Sequence, residues 1–195
     1  GLPLVAQTYR SLGMPQSVTE HLHLKQRKRG FDETTMVESF VLLNAAGGDC
    51  LDDFRRMTED PGLPSLLGHP LPGPDAARKW LYAFHEDEAI ATAKAQRPTG
   101  QMSFIPIETD PLQALARINV DLVRAISARC PDQRIATIDE DATIHESHKQ
   151  EALPHYEGGR GYQPMTAVWA EMNLVVADQF RDGNVPAHYA PLPVA

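Results

Sequence analysis

The spacing of Leu112, Leu115, Ile118, Leu122, Val123 and Ile126, and the stop at Pro131 that follows it, constrain this chain more than any other feature. Apolar residues returning every three or four positions place one apolar stripe along a helix. Asp110-Pro111 supplies a capping aspartate and a proline at the first helical position. Beyond Pro131 the period changes. Arg134 to Ile144 is short and rich in β-branched residues, and the region from Gln163 to Arg181 holds two more such runs, YQPMTAVWAE and LVVADQF, around the turn-like Met172-Asn173. The simplest arrangement is a long strand, a polar loop and an antiparallel hairpin. Gly158, Gly159 and Gly161 keep the intervening HKQEALPHYEGGRGY from forming a helix or a regular strand.

Before this change of period the chain reads as helices. Asp32 can cap a helix whose apolar residues Met36, Val37, Phe40, Val41 and Leu43 keep the 3.6-residue period until Gly47-Gly48 stops it. A second helix is expected from about Asp49 through Met57, and Pro61 to Pro74 reads as a proline- and glycine-rich connection. A further helix from Asp75 to Phe84 carries Trp80, Leu81 and Phe84 on one side. The acidic run Glu86-Asp87-Glu88 reads as a solvated face, and Gln96 to Ile107 as an irregular linker. The expected fold class is therefore α+β, with residues 1–108 helical and residues 109–195 leading from the amphipathic helix into the strands.

Composition narrows the function classes. A formal net charge of −8 argues against nucleic-acid binding by global charge, so any DNA contact would have to be local or assisted by a metal. The local candidates are Lys25, Arg27, Lys28 and Arg29 in LKQRKRG, and Arg160 beside its glycines. Cys50 and Cys130 form no Cys-x-x-Cys pair and are expected to be reduced and buried. No run approaches the length of a membrane span, and GLPLVAQTYR has no signal-like pattern, so the expectation is a cytoplasmic protein with no membrane partner.

The chemistry concentrates in TIDEDATIHE. On a strand, residues two apart share a face, so Asp139, Asp141 and Thr143 point one way and Glu140 and Ala142 the other. Two carboxylates crowded on one face repel, and a divalent cation is the usual remedy. His145 and His148, three apart, fall on opposite faces of a strand and make a poor metal pair. Asp-x-Asp-x-Thr after an apolar strand also resembles the opening motif of haloacid-dehalogenase-like phosphatases, in which Asp139 would be the nucleophile and Asp141 the general acid and base. That fold needs a parallel sheet and a downstream lysine, and no lysine follows Lys149.

A second resemblance covers nearly the whole chain. LLNAAGGDCLDDFRRMTEDPGLPSLLG, LPGPDAARKWLYAFHE, the amphipathic helix, TIDEDATIHE, GYQPM and FRDGNVPA come in the order found in insertion-sequence DDE transposases. The resemblance implies the first strands of a ribonuclease H-like mixed sheet, and DNA cleavage and strand transfer supported by Mg²⁺ or Mn²⁺. It implies Asp141 as first catalytic and metal-holding acid, Asp139 as second choice or support, and DNA at the transposon ends as partner, with Arg181 a further contact. Gly161, Tyr162 and Pro164 would be structural parts of the second strand, and Arg181, Gly183 and Asn184 a turn after the third. The second aspartate and the glutamate of that family have no counterpart in these 195 residues, so the expectation is a truncated N-terminal portion, inactive alone and open to self-association. A non-catalytic DNA-binding remnant is the remaining alternative.

Overall fold

The computed structural model describes residues 1–24, 30–100 and 103–192. In chain order the elements are α1 (Leu2–Ser11), α2 (Met14–His21), α3 (Glu33–Ala45), a 3₁₀ turn (Leu51–Asp53), α4 (Phe54–Thr58), α5 (Leu63–Leu67), α6 (Pro74–Tyr82), α7 (Asp87–Gln96) and α8 (Asp110–Ser127). There follow β1 (Ile138–Ala142), β2 (His145–Glu146), β3 (Leu153–Pro154), β4 (Arg160–Tyr162), β5 (Met165–Trp169) and β6 (Leu174–Gln179). The protein is thus helical first and β-rich afterwards, and it forms two compact units. One comprises residues 1–86 and 110–125, the other residues 87–109 and 126–195. This division differs from the one expected at residue 108/109, because α8 buries Ala114 and Ile118 in the helical core.

In the helical unit, α3 follows from its sequence. The Asp32 carboxylate accepts the Thr35 N–H at 2.7 Å, which caps the first turn, and Gly47 ends the helix with φ of 76°. Leu42, Met36 and Phe54 are fully enclosed, and Phe40 stacks on Trp80 with ring centroids 5.3 Å apart. Three expectations are corrected here. The connection from Pro61 to Pro74 contains α5, whose Pro64 sits in the first turn, where a missing N–H does no harm. The acids 86–88 are exposed as expected, but Asp87 and Glu88 open α7. Cys50 and Cys130 are exposed, not buried.

The strands of the second unit form two antiparallel sheets, ordered β1-β5-β6 and β2-β4-β3. The first two strands of both belong to one long hairpin. Ile138 opposite Trp169 and Ala142 opposite Met165 set a register that His145 opposite Tyr162 continues without a shift. The break falls at Pro164, which has no N–H to give to the ladder, although its carbonyl still accepts the Thr143 N–H at 3.1 Å. The third strand runs on in the same way, from Thr166 opposite Asp178 to the bridge between Tyr162 and Asp182. The result is a kinked antiparallel meander with strand order 1-2-3, matching the strand and hairpin expected, but the glycine-rich stretch between them is corrected: it contributes β3 and β4, and Gly161 allows the close pairing instead of preventing it.

Two glycines let its strands approach. A Cβ on Gly161 would lie 2.2 Å from the His145 carbonyl oxygen, and one on Gly183 would lie 2.6 Å from that of Leu153. Met165, Ala167 and Leu192 form the core beneath the sheet, with Ile138, Val176 and Ala177 packed against it.

Candidate functional site

Burial alternates along β1 in step with the pleat: Ile138, Glu140 and Ala142 are half-buried, whereas Asp139 and Asp141 are exposed. The two aspartates therefore share the outer face, as the strand period requires. Pairing extends this face across the sheet. Asp139 lies opposite Val168, and Asp141 lies opposite Thr166, which lies opposite Asp178. Among the described residues β1 pairs only with β5, so its other edge carries no ladder.

Glu108 approaches the outer face from the segment after α7. Partial burial, and then the nearby Asp178 carboxylate, push its pKa above the ordinary glutamate value. Along the same strand direction, Asp182 is ion-paired with Arg97, yet burial outweighs that partner and raises the Asp182 pKa. Arg97 and Glu108 thus neighbour the β6 side of the face, and Asp139 and Asp141 lie on the β1 side. Carboxylates are the right donors for Mg²⁺ or Mn²⁺. Asp139 and Asp141 alone do not complete a site, and among the described residues no group of three or more histidine, cysteine, aspartate or glutamate side chains is placed to hold a metal ion.

The cationic candidates divide. Lys25, Arg27, Lys28 and Arg29 lie outside the described residues. Arg160 is exposed, and its guanidinium donates to the carbonyls of Ala152 at 2.9 Å and Gln150 at 3.1 Å, fixing the loop after β2. It borders a hollow of about 420 Å³ lined also by Glu146, His148 and Lys149. Arg181 is a correction. It is 1% exposed on the inner side, where it donates to Gln179 Oε1 and to the carbonyls of Tyr189 and Ala190, so it holds the C-terminal loop and is closed to solvent. Burial lowers its pKa, against the pull of Glu140 on the same side. His145 is exposed opposite Tyr162, while His148 belongs to the hollow.

Sequence reasoning missed the aromatic part of the outer face. Tyr162 and Phe180 lie with ring centroids 4.8 Å apart, and Phe180 is 61% exposed. The signal was available: in RGYQPMT the residues Arg160, Tyr162, Pro164 and Thr166 alternate with buried Gly161, Gln163 and Met165. No helix among the described residues is long and apolar enough to cross a membrane. Set against known protein families, curated proteins and solved structures, the chain gives no significant match to any of them.

Proposed function

We propose that this chain is a portion of a DDE-type transposase, and that its antiparallel meander is the start of a ribonuclease H-like catalytic domain carrying Asp141 as the first metal-holding acid. The observation that carries the reading is the pair Asp139 and Asp141, side by side on the exposed face of the leading strand of a 1-2-3 antiparallel meander. The bare edge of β1 also supports it, since a mixed sheet needs room there for a further strand. So do the tight approaches at Gly161 and Gly183, which give the Gly-Tyr-x-Pro and Arg-x-Gly-Asn stretches a physical reason.

In this reading Asp141 and Asp139 would hold Mg²⁺ or Mn²⁺, and the bound ion would supply positive charge at the phosphate oxygens of the scissile strand. What the chain's own residues do is position two carboxylates on a rigid strand; the remaining ligands must come from elsewhere. The antiparallel pairing of β1 favours this reading over a phosphatase with Asp139 as nucleophile, whose fold is built on a parallel sheet.

The test is a Mn²⁺ titration followed by electron paramagnetic resonance, with a plasmid-nicking assay beside it. Weak Mn²⁺ binding that disappears in Asp141→Asn, without nicking by this chain alone, is expected. Binding indifferent to Asp141→Asn and Asp139→Asn would sink the reading, and beryllium fluoride trapped on Asp139 would replace it with the phosphatase.

A further inference from the structure

The glycine-rich turn between β3 and β4 encloses a histidine without partners. His155 is 6% exposed, and among the described residues neither its Nδ1 nor its Nε2 has a hydrogen-bond partner. Buried polar groups are normally paired, so an imidazole with both nitrogens unsatisfied calls for a partner that the fold itself does not supply. The backbone holds the residue in place. The His155 N–H donates to the Gly159 carbonyl at 3.1 Å, and the Gly158 N–H donates to the His155 carbonyl at 3.1 Å. The missing side chain of Gly159 leaves a space beside the ring. A Cβ there would lie 2.7 Å from His155 Nε2 and 3.6 Å from Glu146 Oε1. One point beside Gly159 is therefore within reach of a buried imidazole nitrogen and of a carboxylate, which arrives from β2, where Glu146 is opposite Gly161. Glu146 and Gly159 also border the hollow of about 420 Å³, and so does the exposed His148. His148 makes a poor metal pair with His145 on strand geometry, but the fold gives it a hollow shared with Glu146.

We infer that His155, Glu146 and His148 form a Zn²⁺ site beside Gly159. Imidazole nitrogen and carboxylate oxygen are donors that suit this ion, at about 2.0 to 2.2 Å. His155 Nε2 and Glu146 Oε1 face the same space, and Glu146, being exposed, closes on the ion by side-chain rotation alone. His148 completes the set from the rim of the hollow, again by rotation of an exposed side chain, and water takes a remaining position. Charge at the hollow is compatible with a cation at this point. Arg160 is committed to the carbonyls of Ala152 and Gln150, which leaves Lys149 as the cation that opposes the ion from the rim. The site shares no residue with the Asp139 and Asp141 pair and stands without the transposase reading. Its donors also differ, since two of its three ligands are nitrogen where the aspartate pair offers oxygen alone.

Titration of the full chain with Zn²⁺ by calorimetry, and with Co²⁺ as its visible-absorbing substitute, tests this. Binding of Zn²⁺ is expected, with a Co²⁺ absorption band that Zn²⁺ displaces. His155→Asn should abolish both. Glu146→Gln should do the same while melting like the parent, because its side chain is exposed, so the test survives if His155→Asn fails to fold. His148→Ala should weaken binding, Lys149→Ala should tighten it, and Asp141→Asn should leave it unchanged. Absence of Zn²⁺ binding overturns the inference, and so does binding indifferent to both Glu146→Gln and His155→Asn. Zn²⁺ binding lost in Asp141→Asn places the ion on the aspartate pair and overturns it as well. If inorganic phosphate binds in a Lys149-dependent way and Zn²⁺ does not bind, the hollow takes an anion and the inference is wrong.

Discussion

The guanidinium of Arg181 donates to the carbonyl of Tyr189 at 2.8 Å and lies, 1% exposed, beneath the sheet whose outer face carries the aspartate pair. One side chain thereby ties the end of the third strand to the loop that brings Leu192 into the core. Removing it would leave the Tyr189 and Ala190 carbonyls without their donor and leave a void. Arg181→Ala should therefore cost about 3 kcal/mol of stability, and Arg181→Lys should recover only part, because an ammonium cannot reproduce the planar fork. Urea unfolding followed through Trp169 in a Trp80→Phe background measures this; a loss within about 0.5 kcal/mol would show that the loop does not depend on Arg181.

Partial burial first, and the Asp178 carboxylate second, disfavour charge on Glu108, and the sign of its pH dependence follows. Glu108 has a raised pKa in the folded state, so its contribution is fully present below the unfolded value and is lost as pH rises through the folded one. Asp182 acts in the same direction, because burial outweighs Arg97. Melting temperature should fall as pH rises from about 4 toward 6, and Glu108→Gln should flatten that fall and raise the melting temperature at neutral pH. A Glu108→Gln melt that tracks the parent at every pH would remove Glu108 as its source.

The glycines of the meander should not be equivalent. Gly161→Ala drives a Cβ to 2.2 Å from backbone, whereas Gly158, with φ of 95°, has open space around its missing Cβ. Gly161→Ala is expected to cost about 3 kcal/mol through forced separation of the strands, and Gly158→Ala about 1 kcal/mol through backbone strain. Equal costs in chemical denaturation would mean that strand approach is not what selects glycine at 161.

In the helical unit, Glu38 is 3% exposed and accepts two bonds from Arg10, at 3.0 and 2.6 Å, with His69 Nε2 at 3.1 Å from the same carboxylate. These contacts join α1, α3 and the turn after α5. Glu38→Ala strands the Arg10 guanidinium beside a void and should destabilise this unit by about 3 kcal/mol, while Arg10→Ala, whose side chain is partly solvated, leaves a buried carboxylate and should cost at least as much. Thermal melts of the two variants decide the order.

How much of this was legible depends on whether the signal was local. The cap and stop of α3 lie within a few residues of the apolar stripe they bound, and the sequence contains all three. α7 escaped because it buries nothing: DEAIATAKAQ has good intrinsic helix formers but no apolar face, so periodicity had nothing to find. α5 escaped for the opposite reason, since the prolines and glycines between Pro61 and Pro74 read as a connection although Pro64 occupies the first turn of a helix. The facing of Asp139 and Asp141 followed from the period of two alone. Arg181 was misplaced because what buries it, the carbonyls of Tyr189 and Ala190, is a loop folding back and not a pattern within FRDGN. The pairing of Tyr162 with Phe180 likewise required the register between two strands.

That register has a consequence for the acid pair itself. Since side chains alternate, a slip of one residue would turn Asp139 and Asp141 into the apolar layer and bring Glu140 to the surface. Gly161 and Gly183 admit strand contact only where they stand, because a neighbouring Tyr162 or Asp182 in either slot would collide with backbone. They act as alignment pins, and they fix from a distance which carboxylates of the leading strand the solvent can reach.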